Sequence, residues 1–349
     1  MKINLLALTP AEVAALVERL GEPAYRATQI LDWLWHKGAV SFAQMSNLPM
    51  SLRQKLEQQA EIGFLEVLAK QKSVDGTEKI LFALADGQTV ETVILPYDIG
   101  ESACISTQVG CRMGCAFCAS GQPGFIRNLT AAEIMAQVLY VRNLLQRRGR
   151  KLKNMVLMGT GEPLDNWDAT IAFLEAVKDP QRLAMSLRHI TLSTCGLVPK
   201  ILALAEKGWP LNLAVSLHAP NNKIRSRLMP INKKYPLEKL LPACDQYVTK
   251  TGRRVTYEYI LLAGINDEIR HAHELAQKLS GRICHVNLIP FNAVPGLQWQ
   301  PSPKEKVVAF CHVLKSYGIN ATIRRKMGAD IAAACGQLRN ICRDRMRGE

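Results

Sequence analysis

The chain has 349 residues, with 44 Lys+Arg against 30 Asp+Glu and a formal net charge of +14. Apolar residues make up 48% and charged residues 21%, the balance of a folded chain rather than a disordered one. No run of roughly 18 apolar residues and no charged–apolar–small leader is present, so a membrane-spanning or secreted, disulfide-built protein is not expected.

In chain order, residues 10–60 read as short amphipathic helices. Thr9 caps the first, Pro10 takes its first position, and Leu31, Leu34 and Trp35 repeat at helical spacing. The period then changes: Glu66 to Ala69, Lys79 to Leu84 and Thr89 to Leu95 predict strands separated by Asp75-Gly76 and Asp86-Gly87 turns. This small α+β unit ends near Pro96. Beyond it, strand candidates at 103–107, 154–158, 189–193, 211–217, 255–262 and 283–290 alternate with helical patterns such as 130–147, 167–178, 198–208 and 303–317. Such alternation indicates βα units around a parallel sheet. Six units fall short of the eight of a closed TIM barrel, so a doubly wound sheet and an incomplete barrel both satisfy the pattern. The charge is divided along the same line. Residues 1–100 sum to −3 and residues 101–349 to +17, with basic runs at Arg147–Lys151, Lys233-Lys234, Arg324–Lys326 and Arg339–Arg347. A solvated surface accounts for such charge; its recurrence along the second part favours a polyanionic partner, nucleic acid.

Ten cysteines in a chain long enough to bury a real core are not needed as staples, and in a reducing cytosol they point to metal binding or thiol chemistry. Cys111, Cys115 and Cys118 form a C-x3-C-x2-C run directly after the first strand of the βα series, with Gly110 and Gly114 free to fold the loop tightly. Structural zinc wants four ligands, and a fourth could only be sought at Cys104 on the preceding strand. A 4Fe–4S cluster held by three thiolates instead keeps one iron open, the arrangement of radical S-adenosylmethionine (SAM) enzymes.

Gly159-Thr160-Gly161-Glu162-Pro163 follows the second strand of the series, where a carboxylate at Glu162 could meet the ammonium of SAM. Ser193, then Ser216-Leu217-His218, end the next two strands, and Asn292 follows the sixth. Singly, Ser193 suits a strand-end cap and His218 a satisfied core histidine; their shared edge makes them site candidates. Cys335 lies among small residues, which suits an inert buried thiol, while Gly336 and the basic tail equally suit a mobile reactive one. Cys195, Cys244, Cys284, Cys311 and Cys342 show no ligand spacing and are read as packing residues.

Together these residues resemble the RlmN/Cfr family of radical SAM methyltransferases, which methylate adenine carbons in RNA. The likeness spans nearly the whole chain: Tyr25-Arg26, Leu31-Asp32-Trp33, Val90–Val93, Cys104–Cys111, Met158–Leu164, Ser216–Ala219, Asn287–Asn292 and Ala334–Leu338. The resemblance implies an α/β fold, an incomplete (βα)6 radical-SAM barrel with a small N-terminal α+β accessory domain. It divides the chain into an RNA-docking unit at 1–97, the barrel at 98–325 and a reactive-cysteine segment at 326–349. It assigns Cys111, Cys115 and Cys118 to the cluster, and Gly161, Glu162, Ser193, Ser216, Leu217, His218 and Asn292 to SAM. It makes Cys335 the methyl carrier, Cys104 the resolving cysteine and Glu91 the general base. One departure stands out: many members have Arg-Gly-Asp-Asp-Ile-Asp where this chain has Met327-Gly328-Ala329-Asp330-Ile331-Ala332.

The resemblance also implies the chemistry. Adenine carbon 2 is electron-poor and does not attack a sulfonium methyl, so two SAM molecules are used per turnover, one to methylate Cys335 and one to generate a radical. The implied substrate is 23S rRNA at the peptidyl-transferase centre, with tRNA next to the anticodon as a second substrate. An electron donor such as flavodoxin or ferredoxin, and a cytoplasmic location, follow. Two other readings stand beside this one: methylation of carbon 8, which shares the cysteine set, and a zinc-stabilised RNA-binding protein without catalysis.

Overall fold

The computed structural model describes residues 2–294 and 296–338; the basic stretch Arg339–Arg347 and Cys342 lie outside the described residues. The chain opens with β1 (Ile3–Asn4), α1 (Pro10–Arg19), α2 (Tyr25–Trp35), α3 (Met50–Gln59) and β2 (Ala60–Glu61), the two short strands pairing in parallel. α1 begins where expected: Thr9 accepts from the Glu12 amide, the Glu12 carboxylate accepts from the Thr9 amide, and Pro10 supplies no donor that would need a partner. Its apolar face, Val13, Leu16 and Val17, is buried along with Ile30, Leu34 and Trp35 of α2. An antiparallel meander follows, β3 (Glu66–Lys72), β4 (Glu78–Ala83) and β5 (Thr89–Leu95).

The βα series runs through β6 (Glu101–Cys104), a hairpin of β7 (Gln108–Gly110) and β8 (Phe125–Asn128), α4 (Ala131–Arg147), β9 (Leu152–Leu157), α5 (Trp167–Lys178) and β10 (Ile190–Thr194). It continues with α6 (Val198–Glu206), β11 (Asn212–Ser216), α7 (Asn222–Leu228), α8 (Leu237–Thr251), β12 (Val255–Leu261), α9 (Ile269–Leu279), β13 (Cys284–Pro290), α10 (Lys304–Ser316) and β14 (Ala321–Ile323). One ten-stranded sheet holds both parts, in the order β14-β13-β12-β11-β10-β9-β6-β5-β4-β3.

The parallel strands add in chain order with no reversal. Right-handed crossovers then put every helix on one side, which is barrel winding; a doubly wound sheet needs a switch of direction. The ladder ends at β14 and β3 without closing, so the barrel is incomplete. Three elements depart from the sequence expectation. The first barrel strand spans 101–104 rather than 103–107, and the β7/β8 hairpin and β14 are additional. Each strand is too short, at three or four residues, for period-two alternation to register. The C-terminal ends of the parallel strands, with the long β7–β8 loop, form one rim.

Candidate active site

Cys111, Cys115 and Cys118 lie in the β7–β8 loop, where Gly110 and Gly114 take left-handed backbone angles. The three cysteines line one cavity with Gly161, Glu162, Ser193, Ser216 and His218. Burial pushes the Cys111 thiol up to about 12 and raises Cys115 and Cys118 too, and the charges of neighbouring thiols reinforce the rise for Cys111 and Cys115. A cation at this place is what turns such thiols into thiolates.

The strand ends are tied together by buried hydrogen bonds. The Glu162 carboxylate accepts from the amides of Cys195 (2.7 Å) and Leu164 (3.0 Å), while burial raises its pKa. A carboxylate has about four acceptor sites, so it keeps capacity for a ligand ammonium. Gly161 adopts φ +112°, and a Cβ there would stand 2.6 Å from the Gln108 side chain, so the loop needs glycine to lie against β7. His218, at φ +56°, accepts from the Ile260 amide at Nδ1 (2.9 Å). That bond leaves the proton of the neutral ring on Nε2. Burial holds the ring neutral, with a pKa lowered to about 3, and Phe117 packs edge-on against it at 4.7 Å.

A second cavity adjoins the first and shares Cys118, Met158, Arg324 and Cys335 with it. It brings Cys104 and Cys335 together, 231 positions apart in numbering, along with Asn292, whose buried Oδ1 has no partner. Both thiols are free. Burial pushes Cys104 up to about 12; the charge of Cys335 adds to this and Arg324 opposes it. Arg324 lines the same cavity as both: its pKa is raised chiefly by Cys335, and its guanidinium lies 4.0 Å from the buried Glu258 carboxylate.

Two expected residues stand apart from the cavities. Glu91 on β5 lines neither; it is buried, with Lys79 Nζ at 3.3 Å. By strand alternation it shares a face with Val93 and Leu95, which do line the Cys335 cavity. The Leu217 side chain packs into the main core, and only its backbone participates, its carbonyl accepting from Arg225.

The Radical SAM superfamily model matches residues 105–276, and the model of the ribosomal RNA large subunit methyltransferase N-terminal domain matches residues 3–62. The chain is 49% identical over 336 residues to a probable dual-specificity RNA methyltransferase RlmN of Geobacillus kaustophilus, covering 96% of this chain and 92% of the relative. A Bacillus subtilis protein of the same name is 49% identical over 319 residues, 91% of this chain and 88% of its own. A crystal structure of a radical SAM methyltransferase from Sphaerobacter thermophilus superposes with a TM-score of 0.94 at 44% identity, covering 97% of this chain and 99% of that one. The chain belongs to the RlmN family.

As a radical SAM methyltransferase of the RlmN family, it is an enzyme that uses SAM and a 4Fe–4S cluster. The residues fit both. Among the described residues no three His, Cys, Asp or Glu side chains converge tightly enough to hold a single metal ion. A cluster asks for wider spacing, because each thiolate binds a different iron. The orphaned Asn292 Oδ1 and the spare acceptor sites of Glu162 suit the polar groups of SAM. No helix among the described residues is long and apolar enough to cross a membrane.

Several residues at or behind the cavities escape the sequence reading. Arg324 sits in a basic run that resembles any solvated one. Cys195, read as a packing residue, does pack against Phe117's cluster, yet it also lines the cavity and donates its amide to Glu162. Arg225 on α7 is fully buried and donates to the carbonyls of Cys195 (2.7 Å), Ser216 (3.1 Å) and Leu217 (3.2 Å). No local spacing signals it.

Proposed function

We propose that the protein methylates carbon 2 of an adenine in 23S rRNA, and an adenine beside the anticodon of tRNA, through a methylated Cys335. The observation that carries this reading is the cavity in which Cys335 and Cys104 meet, opening onto the cavity of the three clustered cysteines. Residues 1–97 serve as the RNA-docking unit, 98–325 as the barrel and 326–349 as the carrier segment. The described relatives are named as dual-specificity RNA methyltransferases.

Cys111, Cys115 and Cys118 would hold the cluster, whose one-electron chemistry would open SAM reductively, fed by a flavodoxin- or ferredoxin-like donor, and would take back the electron released when the base adduct loses its proton. Glu162, Ser193, Ser216, His218 and Asn292 orient SAM, with Gly161 and the Leu217 backbone shaping its bed. In the first stage the Cys335 thiolate displaces S-adenosylhomocysteine from one SAM: an S–CH3 bond forms as the sulfonium C–S bond breaks. Arg324 lines the same cavity and is a cation available to that sulfur. In the second stage a radical derived from a second SAM takes a hydrogen atom from the S-methyl group, and the carbon radical so formed on Cys335 adds to the electron-poor ring carbon. Glu91 removes the ring proton. Cys104 then attacks the Cys335 sulfur, the C–S bond breaks toward the methylated base, and a disulfide is left. Such a disulfide is transient in a reducing cytoplasm.

Tyr97, Arg325 and Lys326 line the mouth of the Cys335 cavity. An aromatic face and two cations suit a splayed base with its flanking phosphates. The test is a pair of variants. Cys335→Ala forms no covalent adduct with RNA. Cys104→Ala, which keeps every group needed up to the resolving attack, accumulates a denaturant-resistant protein–RNA species. Normal turnover by Cys104→Ala without trapped RNA removes it from the mechanism, and mass mapping of methyladenine in RNA from a deletion strain checks the carbon and the substrate.

A further inference from the structure

Cys335 is slung between two distant parts of the molecule. Downstream, the segment is fastened to the turn after Cys118: the Ala119 amide donates to the Gly336 carbonyl (2.8 Å) and Ser120 Oγ to the Leu338 carbonyl (2.9 Å). Upstream, it is fastened to the β3–β4 hairpin, which belongs to neither cavity. Ser73 Oγ donates to Asp330 Oδ1 (2.5 Å) and the Val74 amide to Asp330 Oδ2 (3.2 Å). In return the Gly328 amide donates to Asp75 Oδ2 (2.8 Å). Lys79 Nζ, on β4, lies 3.3 Å from the Ala332 carbonyl and 3.3 Å from Glu91 Oε1.

The approach is close. Gly328 takes φ +65°, and a Cβ there would stand 2.8 Å from Thr77 Cγ2. Three residues before Cys335, Ala332 is held at φ +50°, a region that residues with a Cβ rarely occupy. Such strain persists only where the surroundings over-determine it, and here the surroundings are the hairpin. Four hydrogen bonds on this side come from residues 73–79.

We infer that the β3–β4 hairpin is a clasp that positions Cys335, with Asp75 and Asp330 as a reciprocal pair of positioning residues. The inference rests on Cys335 as the methyl carrier. The carrier has to present its sulfur first to a methyl donor and then to a base, so a displacement of about 1 Å costs roughly a hundredfold in rate. Asp330 reaches across to the hairpin from the carrier segment itself, three residues after Met327 and five before Cys335. Burial works against the Asp75 carboxylate, but hydrogen bonds from Thr77 and Gly328 outweigh it and hold its pKa at about 2, so it stays charged near neutrality.

The test uses the full chain. Asp330 lies at the surface, so Asp330→Ala leaves the fold intact, and Asp75→Ala and Asp75→Asn accompany it. With reconstituted enzyme, both alanine variants lower kcat for RNA methylation about tenfold or more, while KM for RNA stays within twofold. Asp75→Asn, whose amide oxygen still accepts one amide, recovers part of the loss. In the same variants without cluster or SAM, amide hydrogen exchange rises in residues 328–338 and not in α1–α3. Wild-type kcat in Asp330→Ala, or a kcat loss with unchanged exchange, overturns the clasp. A Cys335→Ala control separates the two claims: if it stays active, the carrier reading has failed; if it is dead while Asp330→Ala is fully active, only the clasp has.

Discussion

His218 shows how much one buried group can impose. Its Nδ1 is committed to the Ile260 amide, and burial lowers its pKa from 6.5 to about 3. The unfolded chain therefore binds a proton near pH 6.5 that the folded one refuses until about pH 3. The stabilisation is fully present above pH 6.5 and is lost as pH falls through that window. Between pH 7 and pH 5 the loss from this residue alone is about 2 kcal/mol. Denaturant titrations of the protein without cofactors at the two pH values check this. His218→Asn, which tolerates the left-handed backbone, should show a correspondingly smaller difference between them; an unchanged difference means that other groups carry it. On the proposed reading the neutral ring also suits the site, since a cavity-lining imidazole without charge would not repel a bound sulfonium.

At the scale of elements, the rim is built by α7 as much as by the strands it serves. Arg225 gathers the carbonyls that end β10 and β11, while Gln137 on α4 links β5 to the segment after β6, accepting from Thr92 Oγ1 (2.7 Å) and the Ser106 amide (3.1 Å). Replacing Arg225 by Leu leaves those acceptors buried and unpaired, at about 1–3 kcal/mol for each group. The variant is expected to lose at least about 3 kcal/mol of stability and to raise KM for SAM more than KM for RNA; equal changes in both would place Arg225 in general stability alone. This also explains what the sequence could show. The three clustered cysteines, the strand-end Gly161, Glu162, Ser193 and His218, and the rhythm of six βα units are patterns built from short stretches of sequence, each legible by itself. Arg225, Arg324 and the Asp75–Asp330 pair depend on which loops meet. Asp75 and Gly328 are 253 positions apart, and nothing in either neighbourhood announces the other. The pairing of Cys104 with Cys335 is legible only through family resemblance, for the same reason.

For the molecule as a whole, the division of charge poses a question that the sheet makes sharper. The first hundred residues sum to −3 and the remainder to +17, yet the meander of the first part and the barrel strands of the second share one ten-stranded sheet. If the N-terminal helices dock RNA, they do so by shape, and the phosphates are held by the barrel side, where Arg325 and Lys326 rim the Cys335 cavity. Each phosphate neutralised on a single strand releases condensed counterions, so log affinity falls with log salt at about −0.7 per contact. Binding of a 23S rRNA fragment should therefore weaken steeply and linearly on that scale. Arg325→Ala and Lys326→Ala should each reduce the slope by about 0.7 while weakening all RNA sequences alike, because phosphate contacts carry no base information. Substitutions of exposed cations far from the rim, such as Lys250, which pairs with Glu206 on the outer helices, should leave the slope unchanged. A salt-independent affinity, or equal slopes in all of these variants, would make the +17 a solvated surface and move RNA recognition to the acidic N-terminal unit.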